Sequence, residues 1–309
     1  MQVTFLGTGA SVPMPNRALP AVTLCHSGVI TLFDCGEGTQ FQLQRAGLSP
    51  HKITCICISH LHGDHFFGLP GLLASQNLMS RAAPLQIVGP LGLGEYLHTT
   101  QRLTGTRPSF DLQVTEVAPE HEYVALRLSK ATLEIRPLEH TAFCLGFRFV
   151  EDDLPGKFDA EKANQLGIPE GPQRAALVRG EPVLLSDGRL VQPEAVVGPP
   201  RRGRRVAYCV DTRPCASAAL LAERADLLIH DGTFAQDEAD RAHETGHSTA
   251  RQAAEIAARA GARRLILTHI SARYVDDVSP LLNESRARFA EAEVASDLMS
   301  VTVPLQEGD

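Results

Sequence analysis

The sequence predicts an α/β fold, in which short buried strands alternate with helices. Of the 309 residues, 43% are hydrophobic and 21% are charged, which is enough for one large α/β domain or two smaller ones. Short apolar runs recur along the chain with helical patterns between them, and this alternation favours an α/β sandwich. No apolar run approaches the length that crosses a bilayer. The N-terminus lacks the basic region of a signal peptide and is predicted to be a first strand instead.

Five apolar runs lead to a histidine or aspartate. They are Ile53–Ile58 before His60, Ala131–Pro137 before His140, Val206–Val210 before Asp211, Leu227–Ile229 before His230, and Leu265–Thr268 before His269. Sites in open α/β folds gather beyond the carboxyl ends of strands. We therefore expect these five strands to deliver polar side chains to one edge.

Helical patterns are predicted over Gly38–Ala46, Leu69–Leu78, Pro90–Leu103, Ser217–Ala225 and Ser248–Ala260. The last pattern is the clearest, because Ser248 can cap its start and Gly261 can end it.

Glycines and prolines interrupt the pattern between Glu151 and Arg205. This punctuation predicts an inserted flexible arm, 151–205, with one short helix near Asp159–Leu166. The residues on either side, 1–150 and 206–309, would then form a single catalytic domain.

The segment Ser59–His65 contains three histidines and one aspartate. Alternate residues of an extended chain share a face, so His60 and His62 can point at one centre. If the chain then turns into a helix, Asp64 and His65 can face a second centre. Imidazole and carboxylate are usual ligands of zinc and similar metals, and the alternative is a solvated, histidine-rich loop.

Two metals need more ligands than this segment supplies. His140 and Asp211 can complete the first site, His269 can complete the second, and Asp211 can bridge both. Two metals held roughly 3.5–4 Å apart suit in-line phosphoryl displacement. The same geometry could hydrolyse a lactam, a lactone or a thioester, so the pattern indicates a metallohydrolase more strongly than a phosphodiesterase.

Three further residues near predicted strand and helix ends have possible roles. His247 precedes a helix and could protonate a leaving oxygen as a general acid, or it could simply be exposed to solvent. His230, next to Asp231, could orient a metal ligand.

Charge and cysteine content limit which partners and which cellular compartment are expected. A net charge of −7 argues against broad nucleic-acid binding. Arg201, Arg202, Arg204 and Arg205 form a local basic cluster, which fits either a gripped anionic partner or an ordinary solvated loop. The seven scattered cysteines suggest buried free thiols in a reducing cytosol.

Several segments resemble those of a known family. The H-x-H-x-D-H pattern of His60–His65 resembles the signature of the metallo-β-lactamase fold. The further segments that resemble the ribonuclease Z branch of that fold are Phe5–Gly9, Leu32–Gln40, Gly68–Leu73, Ile168–Pro172 and Thr268–Tyr274. The resemblance implies a four-layer αβ/βα sandwich with an inserted arm.

The resemblance also implies specific roles. The family's metal ligands fall on His60, His62, Asp64, His65, His140, Asp211 and His269. His247 becomes a proton donor, Asp64 assists proton handling, and Arg273 could contact phosphate. Two Zn²⁺ per subunit are implied, although the same ligands tolerate Mn²⁺ or Fe²⁺.

The implied reaction is removal of the 3′ trailer from precursor tRNA by cleavage after the discriminator base. The implied enzyme is a cytoplasmic homodimer, not bound to a membrane, in which the arm of one subunit holds tRNA for the other subunit's active site. Two alternatives stay open at this point: a metal-dependent phosphodiesterase or arylsulfatase that acts on small esters, and an RNA-binding module without catalysis.

Overall fold

The structure of the chain, a computed structural model, describes residues 1–306. The strands are β1 (Gln2–Gly7), β2 (Ala21–His26), β3 (Val29–Phe33), β4 (Ile53–Cys57), β5 (Leu85–Pro90), β6 (Leu112–Val117), β7 (Val124–Leu128), β8 (Ala131–Leu138), β9 (Cys144–Glu151), β10 (Val183–Leu184), β11 (Leu190–Val191), β12 (Arg205–Cys209), β13 (Leu227–Asp231), β14 (Leu265–Thr268), β15 (Ala292–Val294) and β16 (Ser300–Thr302). The α-helices are α1 (Thr39–Arg45), α2 (Gly63–Phe66), α3 (Leu69–Leu78), α4 (Leu93–Thr104), α5 (Ala160–Gln165), α6 (Pro172–Val178), α7 (Ala216–Ala222), α8 (Ala239–Thr245), α9 (Ala250–Ala260) and α10 (Ser279–Arg286).

Two large sheets contain most of the strands. The first has the order β16-β1-β2-β3-β4-β5-β6, and the second has the order β15-β14-β13-β12-β9-β8-β7. In the first sheet β1, β2 and β3 run antiparallel, whereas β3 to β6 run parallel. In the second sheet β12 to β15 run parallel.

The sheets and helices form four layers, with a hydrophobic cluster between each pair of neighbouring layers. The cluster between the sheets joins residues of both, including Phe33 and Tyr208, whose rings stack at 5.2 Å. A second cluster packs α1, α3 and α4 on the first sheet, and a third packs α7, α9 and α10 on the second. This arrangement confirms the four-layer αβ/βα sandwich.

The strands that lead to the candidate ligands are divided between the two sheets. β4 belongs to the first sheet, whereas β8, β12, β13 and β14 belong to the second. The five strands therefore do not share one edge of a single sheet, and the polar side chains that follow them come from both sheets. Strand β13 also continues through His230 and Asp231, which makes both residues part of the strand and not of the loop after it.

The predicted helices of the sandwich are confirmed with small shifts, and α9 differs in its cap. Helix α9 begins after Thr249, whose side chain accepts from Gln252 N in a capping box. Ser248 does not cap it, because its hydroxyl donates instead to the Thr212 carbonyl at 2.6 Å. Gly261 ends the helix with a φ of +64°, a conformation that glycine adopts without strain.

The cysteines are in the reduced form that the sequence predicted. All seven cysteines are free thiols, and five of them are buried. Within residues 1–306, none of the helices is both long enough and apolar enough to span a bilayer.

The chain divides by its contacts into two units. One contains Met1–Phe149 and Arg205–Val303, and the other contains Val150–Arg204 with residues 304–306. The second unit has helices α5 and α6, the β10–β11 hairpin and its own hydrophobic cluster, which includes Ala163, Ile168 and Leu177. The inserted segment is thus more regular than the single predicted helix suggested. Gly171 precedes α6 and Pro172 is its first residue. Proline fits the first turn of a helix, although it breaks the interior of one.

The inserted unit can be destabilised separately because its apolar cluster is its own. Leu177→Ala, at a fully buried position, should cost about 2–5 kcal/mol locally. Hydrogen exchange should then accelerate at α6 and the β10–β11 hairpin while β12 to β14 stay protected. Leu184→Ala is the matched control, because Leu184 is 64% exposed. An equal acceleration in both units would contradict a separate core.

Candidate metal centre

The predicted ligands converge into two groups of side chains. One group contains His60, His62, His140 and Asp211, and the other contains Asp64, His65 and His269. Within each group the ligand atoms lie within 4.8 Å of one another. The structure therefore brings together all seven residues that the sequence singled out.

Asp211 faces both groups. Its Oδ2 lies 3.6 Å from His60 Nε2, 3.8 Å from His140 Nε2 and 3.3 Å from His65 Nε2. Its Oδ1 lies 3.2 Å from His269 Nε2. Because Oδ2 lies near histidines of both groups and Oδ1 lies near His269 of the second, Asp211 stands where a bridging ligand would stand.

Four of the histidines are oriented through the ring nitrogen that points away from the cluster. Nδ1 of His65 lies 2.8 Å from Asp34 Oδ2, and Nδ1 of His140 lies 2.8 Å from the Gly246 carbonyl. Because these partners can only accept, Nδ1 carries the proton in both rings and Nε2 keeps a lone pair for the centre. In the same way, Nδ1 of His60 lies 3.0 Å from Ser59 Oγ and Nδ1 of His269 lies 3.1 Å from Thr233 Oγ1.

Asp34 is a functional residue to which the sequence reasoning assigned no role. It is fully buried and accepts from Ser59 N at 2.7 Å and from the Tyr208 hydroxyl at 2.8 Å, in addition to His65. The sequence contained a signal for this residue, because Asp34 directly follows the apolar strand β3, just as other polar residues of the site follow their strands. Gly246 was also missed: a Cβ on it would meet His140 Nδ1 at 2.7 Å, so only glycine allows this approach.

Three residues of the site adopt the left-handed backbone conformation just after a strand. The φ angles are +56° at Asp34, +53° at Asp211 and +57° at His269. This region is uncommon for residues other than glycine and costs on the order of 1 kcal/mol or more each. The surrounding packing therefore holds these side chains in positions that an unconstrained chain would not favour.

The electrostatics keep the carboxylate ionised. Burial raises the pKa of Asp211, but His269 and His65 outweigh burial and hold the pKa of that carboxyl well below its usual range. Burial, assisted by His65, lowers the pKa of His60 well below its ordinary value. An ionised carboxylate and a neutral imidazole are the forms that bind a metal.

The donor set fits a divalent cation. Asp211 Oδ1 is buried and accepts no hydrogen bond from the described residues, although His269 Nε2 lies close to it. A buried carboxylate oxygen without a donor is costly unless a cation satisfies it. Imidazole nitrogens and carboxylate oxygens in two adjoining groups match the ligand chemistry of zinc and related metals, so the cluster is a metal-binding site.

His247 lies beside the cluster and is grouped with Asp211 and His269. Its Nδ1 lies 3.2 Å from Asp231 Oδ2, which also accepts from Ser248 N at 3.1 Å. Burial lowers the pKa of His247, but Asp211 and Asp231 outweigh burial and raise it above the ordinary value. His247 is thus a partly buried, oriented imidazole and not a solvent-exposed one.

His230 is buried away from the two ligand groups, whereas its neighbour Asp231 contacts the site. Nδ1 of His230 lies 2.9 Å from the carbonyl of Asp231 and 3.1 Å from Asp231 Oδ1. The contacts of His230 therefore lead to the site through Asp231, which holds His247.

The predicted phosphate-binding arginines have different surroundings. Arg204 forms two 2.6 Å bonds with Glu151, Arg201 donates to the Pro155 carbonyl at 3.1 Å, and Arg202 is half-buried. The amide of Arg205 donates to Asp226, and Arg273 lies 3.6 Å from Glu238. Other arginines of the inserted unit pair with nearby acids: Arg174 with Glu170, Arg179 with Glu181, and Arg189 with Asp187. Within the basic cluster Arg204 is thus neutralised by Glu151, and contact of the cluster with phosphate stays a prediction.

Two family models match parts of the chain. Residues 1–147 match the family described as Anti-Pycsar protein Apyc1, and residues 182–270 match the Beta-lactamase superfamily domain. The second match agrees with the sandwich fold.

Full-length relatives identify the family. Ribonuclease Z of Salinibacter ruber is 49% identical over 96% of this chain and 93% of its own length. Ribonuclease Z of Haloferax volcanii is 46% identical over 100% of this chain and 97% of its own length. The crystal structure of the short form of human tRNase Z superposes with a TM-score of 0.74 at 32% identity, covering 99% of this chain and 100% of that one. The chain belongs to the ribonuclease Z family.

Proposed function

We propose that this chain is a metal-dependent endoribonuclease that removes the 3′ trailer from precursor tRNA. The cut falls after the discriminator base and leaves a 3′-hydroxyl on the tRNA and a 5′-phosphate on the trailer. The observation that carries the proposal is the pair of ligand groups that both adjoin Asp211, on a chain related over almost its whole length to ribonucleases Z.

Two divalent cations are proposed for each subunit, with zinc as the resident metal and manganese or iron as tolerated substitutes. His60, His62, His140 and Asp211 would hold one, and Asp64, His65, His269 and Asp211 would hold the other. Cations held there lower the pKa of water and offset the charge that grows on the phosphodiester oxygens. The orienting partners of the histidine rings keep the ligand atoms in place before any cation arrives.

His247 is proposed to donate a proton to the leaving oxygen. Asp231 accepts from its Nδ1, so the other ring nitrogen is left to face the reacting groups. The raised pKa favours the protonated ring, which is the form that a general acid needs. Asp64, whose Oδ2 accepts from Ser11 N at 2.9 Å, is proposed to assist proton handling in addition to binding metal.

The inserted unit is proposed to hold the tRNA. In this proposal the enzyme is a cytoplasmic homodimer, and the arm of one subunit serves the active site of the other. Because most arginines of the arm pair with acids, the arm would recognise the shape and backbone of the RNA more than it would supply net positive charge. Arg201, Arg202, Arg204, Arg205 and Arg273 stay candidates for phosphate contacts.

Small-ester hydrolysis is the less favoured alternative, because a hydrolase of small esters has no evident need of the inserted unit. The set of seven convergent ligands likewise argues against an RNA-binding module without catalysis.

The proposal is tested by mapping the cut. Zinc-loaded protein should cleave a precursor tRNA once, beside the discriminator base. The new ends are mapped for precursors with and without an encoded CCA, which also shows whether CCA-containing precursors are cut. Asp211→Asn should lose bound zinc and reduce cleavage about 100-fold or more, since weakening even an outer partner of a metal ligand costs about 10–100-fold. Asparagine tolerates the left-handed backbone at this position, so the change removes charge with little strain.

Asp240→Ala, which removes an exposed acid of α8, is the matched control and should leave both zinc content and cleavage unchanged. Intact zinc content in Asp211→Asn would refute the bridging assignment. Hydrolysis of a small phosphodiester without any cut in precursor tRNA would move the function to the small-ester alternative.

The role of His247 is tested by leaving-group dependence. His247→Ala should lower the turnover of precursor tRNA about 10²–10⁴-fold, the usual contribution of a general acid. Hydrolysis of a nitrophenyl phosphodiester should fall much less, because its leaving group needs no proton. His243→Ala, an exposed histidine of α8, is the control. Equal losses on both substrates, or a matching loss of tRNA affinity, would point to metal binding or substrate binding instead.

The role of the inserted unit is tested by excising it. Leu154 and Arg201 exchange two backbone hydrogen bonds of 2.8 and 2.9 Å, so residues 155–200 can be replaced by an Asn-Gly turn. The shortened protein should lose cleavage of precursor tRNA about 100-fold or more, because remote binding energy is gone. Its hydrolysis of a nitrophenyl phosphodiester should stay within about two-fold of the full chain. Surviving tRNA cleavage would show that the unit is not the binding arm.

A further inference from the structure

The loop between β1 and β2, residues 8–20, lies against the second ligand group. Ser11 N donates to Asp64 Oδ2 at 2.9 Å, and the Thr8 carbonyl accepts from Ile270 N at 2.8 Å, next to His269. The tip of the loop is exposed, whereas its start is paired with Ile270 through the Gly9–Ile270 bridge, in which Ala10 N donates to the Ile270 carbonyl at 3.1 Å. Beyond this bridge and the short Met14–Arg17 pairing, side-chain contacts must hold the rest of the loop and help to fix Ser11.

Asp297, in the turn between β15 and β16, gathers both ends of this loop. Its Oδ1 accepts from Thr8 Oγ1 at 2.7 Å, and its Oδ2 accepts from Ala18 N at 2.7 Å. Gln42 of α1 donates to the same Oδ2 at 3.0 Å. One carboxylate thus joins the start of the loop, the end of the loop and a helix.

Arg17 reinforces the same junction. It is only 8% exposed, and its Nη1 donates to Thr8 Oγ1 and to the Ala295 carbonyl, each at 2.7 Å. The turn that carries Asp297 is itself bonded to the sheets, since Ala295 N donates to the Leu267 carbonyl and Leu298 N to the Phe5 carbonyl. The junction is therefore anchored to both sheets of the sandwich.

We propose that Asp297 is a positioning residue that holds the loop so that the Ser11 N–H meets Asp64. The consequence for cleavage rests on the proposed function, whereas the consequences for the loop and for metal binding do not. Within residues 1–306 Asp297 makes no hydrogen bond to the ligand groups, so the loop is what connects it to Asp64.

Two physical facts support this role. Ser11 has a φ of +63°, a conformation that serine keeps only when its surroundings impose it, so a released loop would relax at this residue. A hydrogen bond to a ligating carboxylate fixes its orientation, and losing such a partner typically weakens metal binding about 10–100-fold. Release of the loop at Asp297 would therefore be felt at Asp64, in the group that also contains His65 and His269.

The test uses the full-length protein carrying Asp297→Asn, whose amide nitrogen cannot accept from Ala18 or Thr8. In the metal-free protein, amides of residues 9–18 should exchange faster while β12 to β14 stay protected. In a zinc titration against a chromophoric chelator, one of two zinc equivalents should bind about 10-fold or more weakly and the other should be unchanged. With precursor tRNA, kcat should fall and KM should stay the same.

Ser296→Ala, an exposed neighbour in the same turn, is the control and should match the unaltered protein. Thr8→Val removes one donor to Asp297 and should give a smaller change in the same direction. Thr8→Ser keeps the hydroxyl and should match the unaltered protein. If Asp297→Asn fails to fold, this pair decides the question.

Unaltered zinc affinity with a protected loop would overturn the proposal. So would a uniform acceleration of exchange in all strands, because that result assigns Asp297 a general role in stability. If the unaltered protein binds two zinc ions but does not cut tRNA, the proposed function fails, and the exchange and zinc measurements still decide the role of Asp297.

Discussion

The buried carboxylate of Asp211 is the constraint on which the rest of the site depends. A charge removed from water costs several kcal/mol unless opposite charge or donors surround it. Here the nearest groups are the Nε2 atoms of His60, His65, His140 and His269, at 3.2 to 3.8 Å, and a cation held by these nitrogens and the carboxylate would supply the opposite charge. These histidines follow strands of both sheets, so a stable position for Asp211 requires the two sheets to pack as they do.

The sandwich fixes the ligand atoms through residues behind them. Tyr208 of the second sheet donates to Asp34, which follows a strand of the first sheet and in turn accepts from His65. A contact between the sheets therefore sets the direction of one metal-binding nitrogen. Such an arrangement is organised before a cation binds, which limits the reorganisation that binding and reaction would otherwise require.

The inserted unit follows a different principle. It has a hydrophobic cluster of its own, and nearby acids neutralise most of its arginines. A folded surface of balanced charge suits recognition of a particular RNA shape, whereas an unpaired basic tail would hold any polyanion. If the inserted unit holds the RNA as proposed, this difference accounts for how a chain with a net charge of −7 acts on RNA.

The sequence by itself determined which polar residues follow the buried strands and where the main helices lie, and it predicted an inserted segment over 151–205. These features are local: residue type, spacing and the glycine and proline pattern are sufficient to find them. The same rule applied to the strand before Asp34 would have found that residue as well.

Only the tertiary structure decided which sheet each strand joins, which ring nitrogen of each histidine faces the centre, and why Ser248 leaves the helix cap to Thr249. It also decided that Asp297 meets Thr8, 289 residues earlier in the chain. The physical reason is that each of these features depends on a hydrogen bond or a packing contact between segments far apart in sequence, whose partners become neighbours only when the two sheets pack together.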